Sequence, residues 1–110
     1  MAALDLDDLE VTARLRNALG EVHGKLRVTD AITLAGFDRP SFYRKRLVSR
    51  AMRELGWDRG RLRFNGTLLY AYARGSHLER EVILDVERGD DDQLGVIARS
   101  LDDQDKRRAP

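Results

Sequence analysis

Arginines at helical spacing are the residues of this sequence best suited to a binding chemistry. Arg46, Arg50 and Arg53 follow Arg39 at intervals that place all four on one side of a helix at about 100° per residue. A guanidinium group keeps its charge and binds phosphate oxygens or a guanine edge through two parallel hydrogen bonds. A merely solvated helix would be expected to intersperse acids as i,i+4 partners of these arginines, yet Glu54 is the only acid in this helix.

A second basic group surrounds Asn65-Gly66, a dipeptide typical of the type I′ turn between two strands. A two-residue loop pairs Arg61 with Tyr70, so Arg61, Arg63, Tyr70 and Tyr72 share one face of the hairpin. The opposite face, which we expect to join the core, carries Leu62, Phe64, Leu69 and Ala71. The hairpin therefore presents basic and aromatic groups together, although packing is the more ordinary role of the two tyrosines.

Polar groups near the start of the arginine helix complete the candidate site. Ser41 and Tyr43 lie where a helix N-terminus can hold a phosphate or meet a base edge. The candidate DNA-binding residues are Arg39, Ser41, Tyr43, Arg46, Arg50, Arg53, Arg61, Arg63 and Asn65.

Net charge varies strongly along the chain, although the total is only +1. Residues 1–38 carry −3, residues 39–74 carry +8, and residues 75–110 carry −4. The basic block coincides with the arginine helix and the hairpin, which favours a polyanionic partner. Two alternatives stay open: a solvated basic face, or arginines that dock the protein's own acidic segments.

Patterns for catalysis or metal binding are missing from the sequence. His23 and His77 have no second ligand at metal-binding spacing, and there is no cysteine. The segment 20–26 lacks the Ser or Thr that follows the lysine of a phosphate-binding loop. We therefore predict no catalytic residue, no metal and no cofactor, and a protein that is not an enzyme.

Length and composition favour one small domain of 110 residues. With only 6% aromatic residues, the core must depend on aliphatic side chains. No segment approaches the roughly 20 apolar residues of a membrane span, and no secretory signal is visible. We expect a cytoplasmic protein with no membrane partner.

Hydrophobic periodicity and capping residues predict three helices before the hairpin. The first runs from Leu6 to about Val22 and is capped by Asp5, the second runs from Asp30 to Leu34 or Ala35 and is capped by Thr29, and the third runs from near Arg39 to Leu55 and is capped by Asp38. Gly56 should end the third helix in the left-handed conformation, with Trp57 folding back on its last turn.

After the hairpin, Ser76 and Glu79 have the spacing of a capping box. They predict a helix to about Arg88, with a strand over residues 82–86 as the alternative. A further short helix is expected within residues 90–101, and residues 102–110 are expected to be disordered.

The predicted fold class is α+β, mainly helical: a winged helix-turn-helix of three helices and a hairpin wing, with one or two extra C-terminal helices. The predicted domains are the winged helix over residues 1–75, a helical extension over 76–101 and the tail over 102–110. In such a fold the third helix enters the DNA major groove and the hairpin reaches the backbone beside it.

A resemblance to a known family is carried by three runs, Ala51–Trp57, Arg61–Gly66 and Leu69–Tyr72. Within residues 27–74 they resemble the small C-terminal module of phage and plasmid primase-helicases related to the virulence-associated protein E family. The resemblance implies a winged-helix, nucleic-acid-binding role and a phage, plasmid or prophage origin. It does not imply helicase or primase activity.

Two functional hypotheses follow. The first is double-stranded DNA binding, sequence- or structure-directed, by a transcriptional regulator or replication accessory factor. The second is a protein-interaction module, an inhibitor or adaptor of a host or phage protein, with the acidic C-terminal helices as its contact surface. Those helices could equally form a homodimer through residues 76–101. The DNA sequence preference is left open.

Overall fold

Three helices pack on one face of a mixed five-stranded sheet in the part of the chain that the structure, a computed structural model, describes: residues 8–101, with side chains through residue 99. The helices are α1 (Asp8–Leu19), α2 (Val28–Leu34) and α3 (Phe42–Glu54). The strands are β1 (Gly24–Arg27), β2 (Asp58–Phe64), β3 (Thr67–Arg74), β4 (Val82–Arg88) and β5 (Leu94–Leu101). Their order in the sheet is β2-β3-β1-β4-β5, in which β1 is parallel to β4 and the other neighbours are antiparallel.

The predicted fold class is wrong. The described chain is not mainly helical, and a winged helix with extra C-terminal helices does not describe its sheet. Residues 82–88 and 94–101, within the two expected C-terminal helices, form β4 and β5, so the alternative of a strand over residues 82–86 is the correct one. The capping box closes only a 3₁₀ turn over Glu79–Glu81, after which Val82 is already extended. β-Branched side chains in both segments favour the extended conformation, and β1 offers β4 an edge with which to pair.

The β2–β3 hairpin confirms the predicted turn and register. Phe64 lies opposite Thr67 and Arg61 opposite Tyr70, and both turn residues have positive φ, 53° at Asn65 and 95° at Gly66. The two faces differ from the expectation, however. Tyr72, expected among the presented groups, is 2% exposed and packs in the main core beneath the helices.

The face expected to form the core forms a second, smaller cluster on the side of the sheet opposite the helices. Phe64, Ala71 and Ile83 are buried there. The charged ends of Lys25 and Arg27 lie 5.3 and 4.8 Å from the centroid of the Phe64 ring. Both faces of the hairpin are therefore buried where it joins the sheet, and only its outer part is exposed.

The residues at the N-termini of α2 and α3 differ from the predicted capping residues. Ser41, rather than Asp38, caps α3, and its hydroxyl oxygen accepts a hydrogen bond from the Arg44 N–H at 3.1 Å. β1 ends at Arg27 and α2 begins at the next residue, Val28. Arg27 is therefore the N-cap residue, although its side chain makes no capping hydrogen bond, and the predicted cap, Thr29, lies inside the helix. The predicted Asp5 cap, the first residues of the first helix and the expected disorder over 102–110 lie outside the described residues.

The end of α3 is as predicted. Gly56 has φ 91°, and the Trp57 N–H donates back to the Met52 carbonyl at 2.9 Å. Arg74, the last residue of β3, lies against this turn with its guanidinium carbon 4.7 Å from the Trp57 ring centroid.

The Arg74 guanidinium group connects the ends of two helices. It donates to the Leu55 carbonyl after α3 at 3.0 Å, and to the carbonyls of Gly20 and Val22 after α1 at 2.8 and 2.7 Å. A cation is favourable at helix C-termini because unpaired carbonyls carry partial negative charge there.

We expect Arg74→Met to destabilise the fold by about 2–4 kcal/mol, since it removes charge-assisted hydrogen bonds while keeping much of the side-chain volume. Arg74→Lys should lose less, because it keeps the charge but not the forked geometry. Urea denaturation followed by circular dichroism measures both losses. Unfolding free energies equal to wild type for both variants would contradict the assigned role.

A pH prediction follows from Glu79. Hydrogen bonds from the Ser76 backbone, the His23 ring and the Ser76 hydroxyl lower the pKa of Glu79 from 4.5 to about 2. A lowered folded-state pKa stabilises the fold above the unfolded value of 4.5, and this stabilisation is lost as the pH falls toward 2. The difference in Tm between wild type and Glu79→Gln should therefore shrink below pH 4.5; a difference that stays constant down to pH 2 would refute it.

Candidate nucleic-acid interface

α3 is an amphipathic helix whose exposed side is an arginine ridge, defined here as Arg46, Arg50 and Arg53. All three side chains are exposed. The opposite side of the helix is buried in the core through Leu47, Val48, Ala51 and Met52. The predicted division of this helix into an apolar and a basic side is confirmed.

An α1–α3 groove of about 500 Å³ lies on one side of the ridge. Its lining includes Tyr43, Arg46 and Arg50 from α3 and Asp8 and Leu9 from α1. The Arg50 guanidinium donates to the Asp8 carboxylate at 2.6 Å. One ridge arginine therefore pairs with an acid of the first helix, as expected if the arginines dock the protein's own acidic segments. Both side chains of the pair are about half exposed to solvent, however.

A second groove, the Tyr70 groove, lies on the other side of the ridge between α3 and the hairpin, with a volume of about 510 Å³. Its lining includes Arg53 from α3, Arg59 and Arg61 from β2, Tyr70 and Tyr72 from β3, and Trp57. Because Arg53 belongs to both the ridge and this groove, the helix and the hairpin contribute to one continuous basic surface.

Tyr70 and Tyr72 have different roles in this groove. Tyr72 is part of its buried floor; burial raises the pKa of its hydroxyl, which hydrogen-bonds with Ser49 on α3. Tyr70 is 59% exposed. The guanidinium carbons of Arg59 and Arg61 lie 5.3 and 5.6 Å from the centroid of its ring.

Other predicted site residues lie at the ends of these elements. Arg63 and Asn65 are exposed at the tip of the hairpin, where an Arg63 nitrogen is 3.5 Å from the Gly66 carbonyl oxygen. Arg39 is exposed before α3, and its carbonyl accepts a hydrogen bond from Arg44. Ser41 uses its hydroxyl oxygen as the helix cap. Neither Arg39 nor Ser41 lines the two grooves.

Sequence reasoning missed Arg59 and Trp57 as groove residues. β2 begins at Asp58, earlier than expected, so Arg59 joins Arg61 and Arg63 on the side of the strand that faces the helices. The alternation of arginines at 59, 61 and 63 could have indicated this longer strand.

Ion pairing differs between the two sides of the sheet. The charged ends of Lys25 and Arg27, on the side opposite the helices, have carboxylate partners. Lys25 lies 3.5 Å from Glu81, and Arg27 lies 3.2 Å from Asp85 and 3.4 Å from Asp30 at the start of α2. Burial raises the pKa of Asp30, and the nearby Arg27 opposes that shift. On the helix side, no carboxylate of the described residues pairs with a group of arginines: Arg46, Arg53, Arg59, Arg61 and Arg63.

Among residues 8–101, no three His, Cys, Asp or Glu side chains are grouped as a metal site would require. Within the same part of the chain, none of the helices has the length and apolar character needed to cross a membrane.

Comparison with known proteins gave no match: no family model fits the chain, and no curated protein and no solved structure is significantly similar to it.

Proposed function

We propose that this chain binds double-stranded DNA without catalysis, as a transcriptional regulator or a replication accessory factor. The observation that carries the proposal is the group of helix-side arginines that no described carboxylate neutralises. Like charges held together on one surface repel each other and favour a polyanion as partner. Arginine suits DNA because it binds phosphates and guanine edges through paired hydrogen bonds.

The shape of the surface agrees with a duplex as ligand. α3 has 13 residues, about 20 Å of helix at 1.5 Å per residue, and the B-DNA major groove is about 12 Å wide and admits one helix. Because a groove lies on each side of the arginine ridge, the ridge can enter the major groove of the duplex. The hairpin then reaches the neighbouring phosphates with Arg61 and Arg63.

The Asp8–Arg50 pair does not prevent this contact. Both side chains are about half exposed, and an exposed ion pair contributes little free energy, about 0–1 kcal/mol. A DNA phosphate can therefore take the place of the Asp8 carboxylate at Arg50.

A second candidate function, a protein contact, is favoured by the edge strand β5. β5 pairs only with β4 among the described strands, and residues 94–101 contain one charged side chain, Arg99. Edge strands of natural proteins usually carry charges that discourage pairing with another chain, as β2 does at the other edge with its three arginines. β5 could therefore pair with the same strand of a second copy. The predicted acidic helical contact surface is wrong, because these residues form strands.

The DNA proposal predicts the effect of replacing Arg46, Arg50 and Arg53 together by Ala. At low salt, affinity for a duplex should fall by at least about tenfold. The slope of log K against log[salt] should change from about −5.4, for about six phosphate contacts, to about −2.7, since each lost phosphate contact removes about 0.9. Fluorescence anisotropy at several salt concentrations measures both quantities.

The matched control replaces Arg14, Arg88 and Arg99 by Ala, which removes the same charge from exposed positions outside the two grooves. Its duplex affinity should stay much closer to wild type. If both triple variants lose affinity equally, only overall charge matters and the assigned surface is wrong.

The protein-contact candidate predicts that the chain is a dimer at tens of micromolar and that Ile97→Lys makes it a monomer. Ile97 is 48% exposed on β5, and a lysine on an edge strand discourages pairing with a strand of another chain. Sedimentation velocity measures the change. The control is Leu78→Lys, which also replaces an exposed aliphatic side chain by lysine but lies outside the strands. A wild-type monomer at every concentration would refute the candidate.

A further inference from the structure

The Tyr70 groove has features that a duplex contact alone does not use. Tyr70 is exposed on a strand whose next helix-side aromatic, Tyr72, is buried. The guanidinium groups of Arg59 and Arg61 lie over the Tyr70 ring, at 5.3 and 5.6 Å from its centroid, and form a stacked cluster with it. Nucleobases stack on aromatic rings and on arginine planes alike.

An unsatisfied donor lies in the wall of the same groove. Trp57 is 2% exposed, and its indole nitrogen has no hydrogen-bond partner in the described protein. Buried polar groups rarely stay unpaired in folded proteins. Trp57 lines the groove, so a ligand bound there packs beside this residue, although the indole nitrogen itself is enclosed by protein.

The charges of the groove also favour a nucleotide. Asp58 is the one carboxylate in its lining, and the Arg80 guanidinium donates to it at 2.7 Å. Because Asp58 is paired with Arg80, Arg53 on the α3 side of the groove can bind a phosphate. The volume of about 510 Å³ lies within the usual range of small-ligand sites, about 300–1,000 Å³.

Paired bases cannot use such a site. In a duplex each base is stacked on its neighbours, and it must leave the stack to enter a recess. We propose that the Tyr70 groove binds one unpaired nucleotide of DNA, with its base stacked on the cluster of Tyr70, Arg59 and Arg61 and its phosphate held by Arg53. The protein then prefers a duplex that ends in a single-stranded overhang. This inference rests on the proposed DNA binding.

The test compares a blunt duplex with the same duplex carrying a five-nucleotide overhang, on the 3′ or the 5′ strand, by fluorescence anisotropy. Wild type should bind one of the overhang duplexes at least about fivefold more tightly, the low end of what one base–aromatic stack contributes. Tyr70→Ala should abolish this preference while its affinity for the blunt duplex stays within about twofold. Tyr70→Phe should keep the preference, because it keeps the ring.

A second measurement needs no variant. 2-Aminopurine placed at the first unpaired position should change its fluorescence when wild-type protein binds, whereas the same label inside the duplex should not. Leu78→Ala, an exposed leucine that lines neither groove, serves as the matched control for Tyr70→Ala.

The outcomes separate the two proposals. Equal affinity of wild type for blunt and overhang duplexes, or a Tyr70→Ala loss that is the same for both, overturns the nucleotide site and leaves duplex binding standing. Failure to bind any of these DNAs at low salt overturns both. Unchanged 2-aminopurine fluorescence at the unpaired position in a complex that does form overturns the nucleotide site alone.

Discussion

The guanidinium group of Arg74 holds together the parts of the molecule that form the candidate interface. It binds the carbonyls that follow α1 and α3 and stacks on Trp57. Because Arg74 ends the strand that also carries Tyr70, the same contact sets the position of α3 relative to the hairpin. Both walls of the Tyr70 groove therefore depend on one side chain outside it. Arg74 counts toward the basic block of the sequence, yet its charge serves helix ends rather than a ligand.

The distribution of the remaining charges follows from the order of the strands. β2 and β5 lie at opposite edges of the sheet, so the arginines of β2 are far along the sheet from the exposed acids Asp90, Asp91 and Asp92 in the β4–β5 turn. Distant exposed charges are screened by salt. The acidic part of the chain therefore neutralises the total charge without neutralising the basic surface, which is why the value of +1 says little about partners.

Local sequence signals predicted the local features of the site. The Asn65-Gly66 turn specified the hairpin register because type I′ turns need positive φ at both central positions. Apolar spacing specified which side of α3 is buried, and the capping box forms its two hydrogen bonds between Ser76 and Glu79. Each of these depends on residues within a few positions of one another.

Features that depend on distant parts of the chain were not predicted. Local patterns could not decide between helix and strand over residues 82–86, and they predicted a helix within 90–101, because β4 and β5 are specified by pairing in the sheet, which no local period reports. The burial of Tyr72, and the choice of Arg50 as the arginine that meets an acid of the first helix, likewise depend on how α1 and α3 pack on the sheet. The sequence therefore identified several basic and aromatic groove residues but not Arg59 or Trp57, and the division of these residues between two grooves required the tertiary structure.

The short central strand β1 has a consequence for how the chain reaches this structure. Its four residues pair on one side with β3, through Gly24 and Arg74, and on the other with β4, through Lys25 and Ile83. The two hairpins, β2–β3 and β4–β5, close over short loops and can form early, whereas both pairings of β1 join residues far apart in the chain and bear the larger loop-closure entropy. Docking of the hairpins on β1 is then the slow step of folding, and until it is complete the edges of β3 and β4 stay open to other chains.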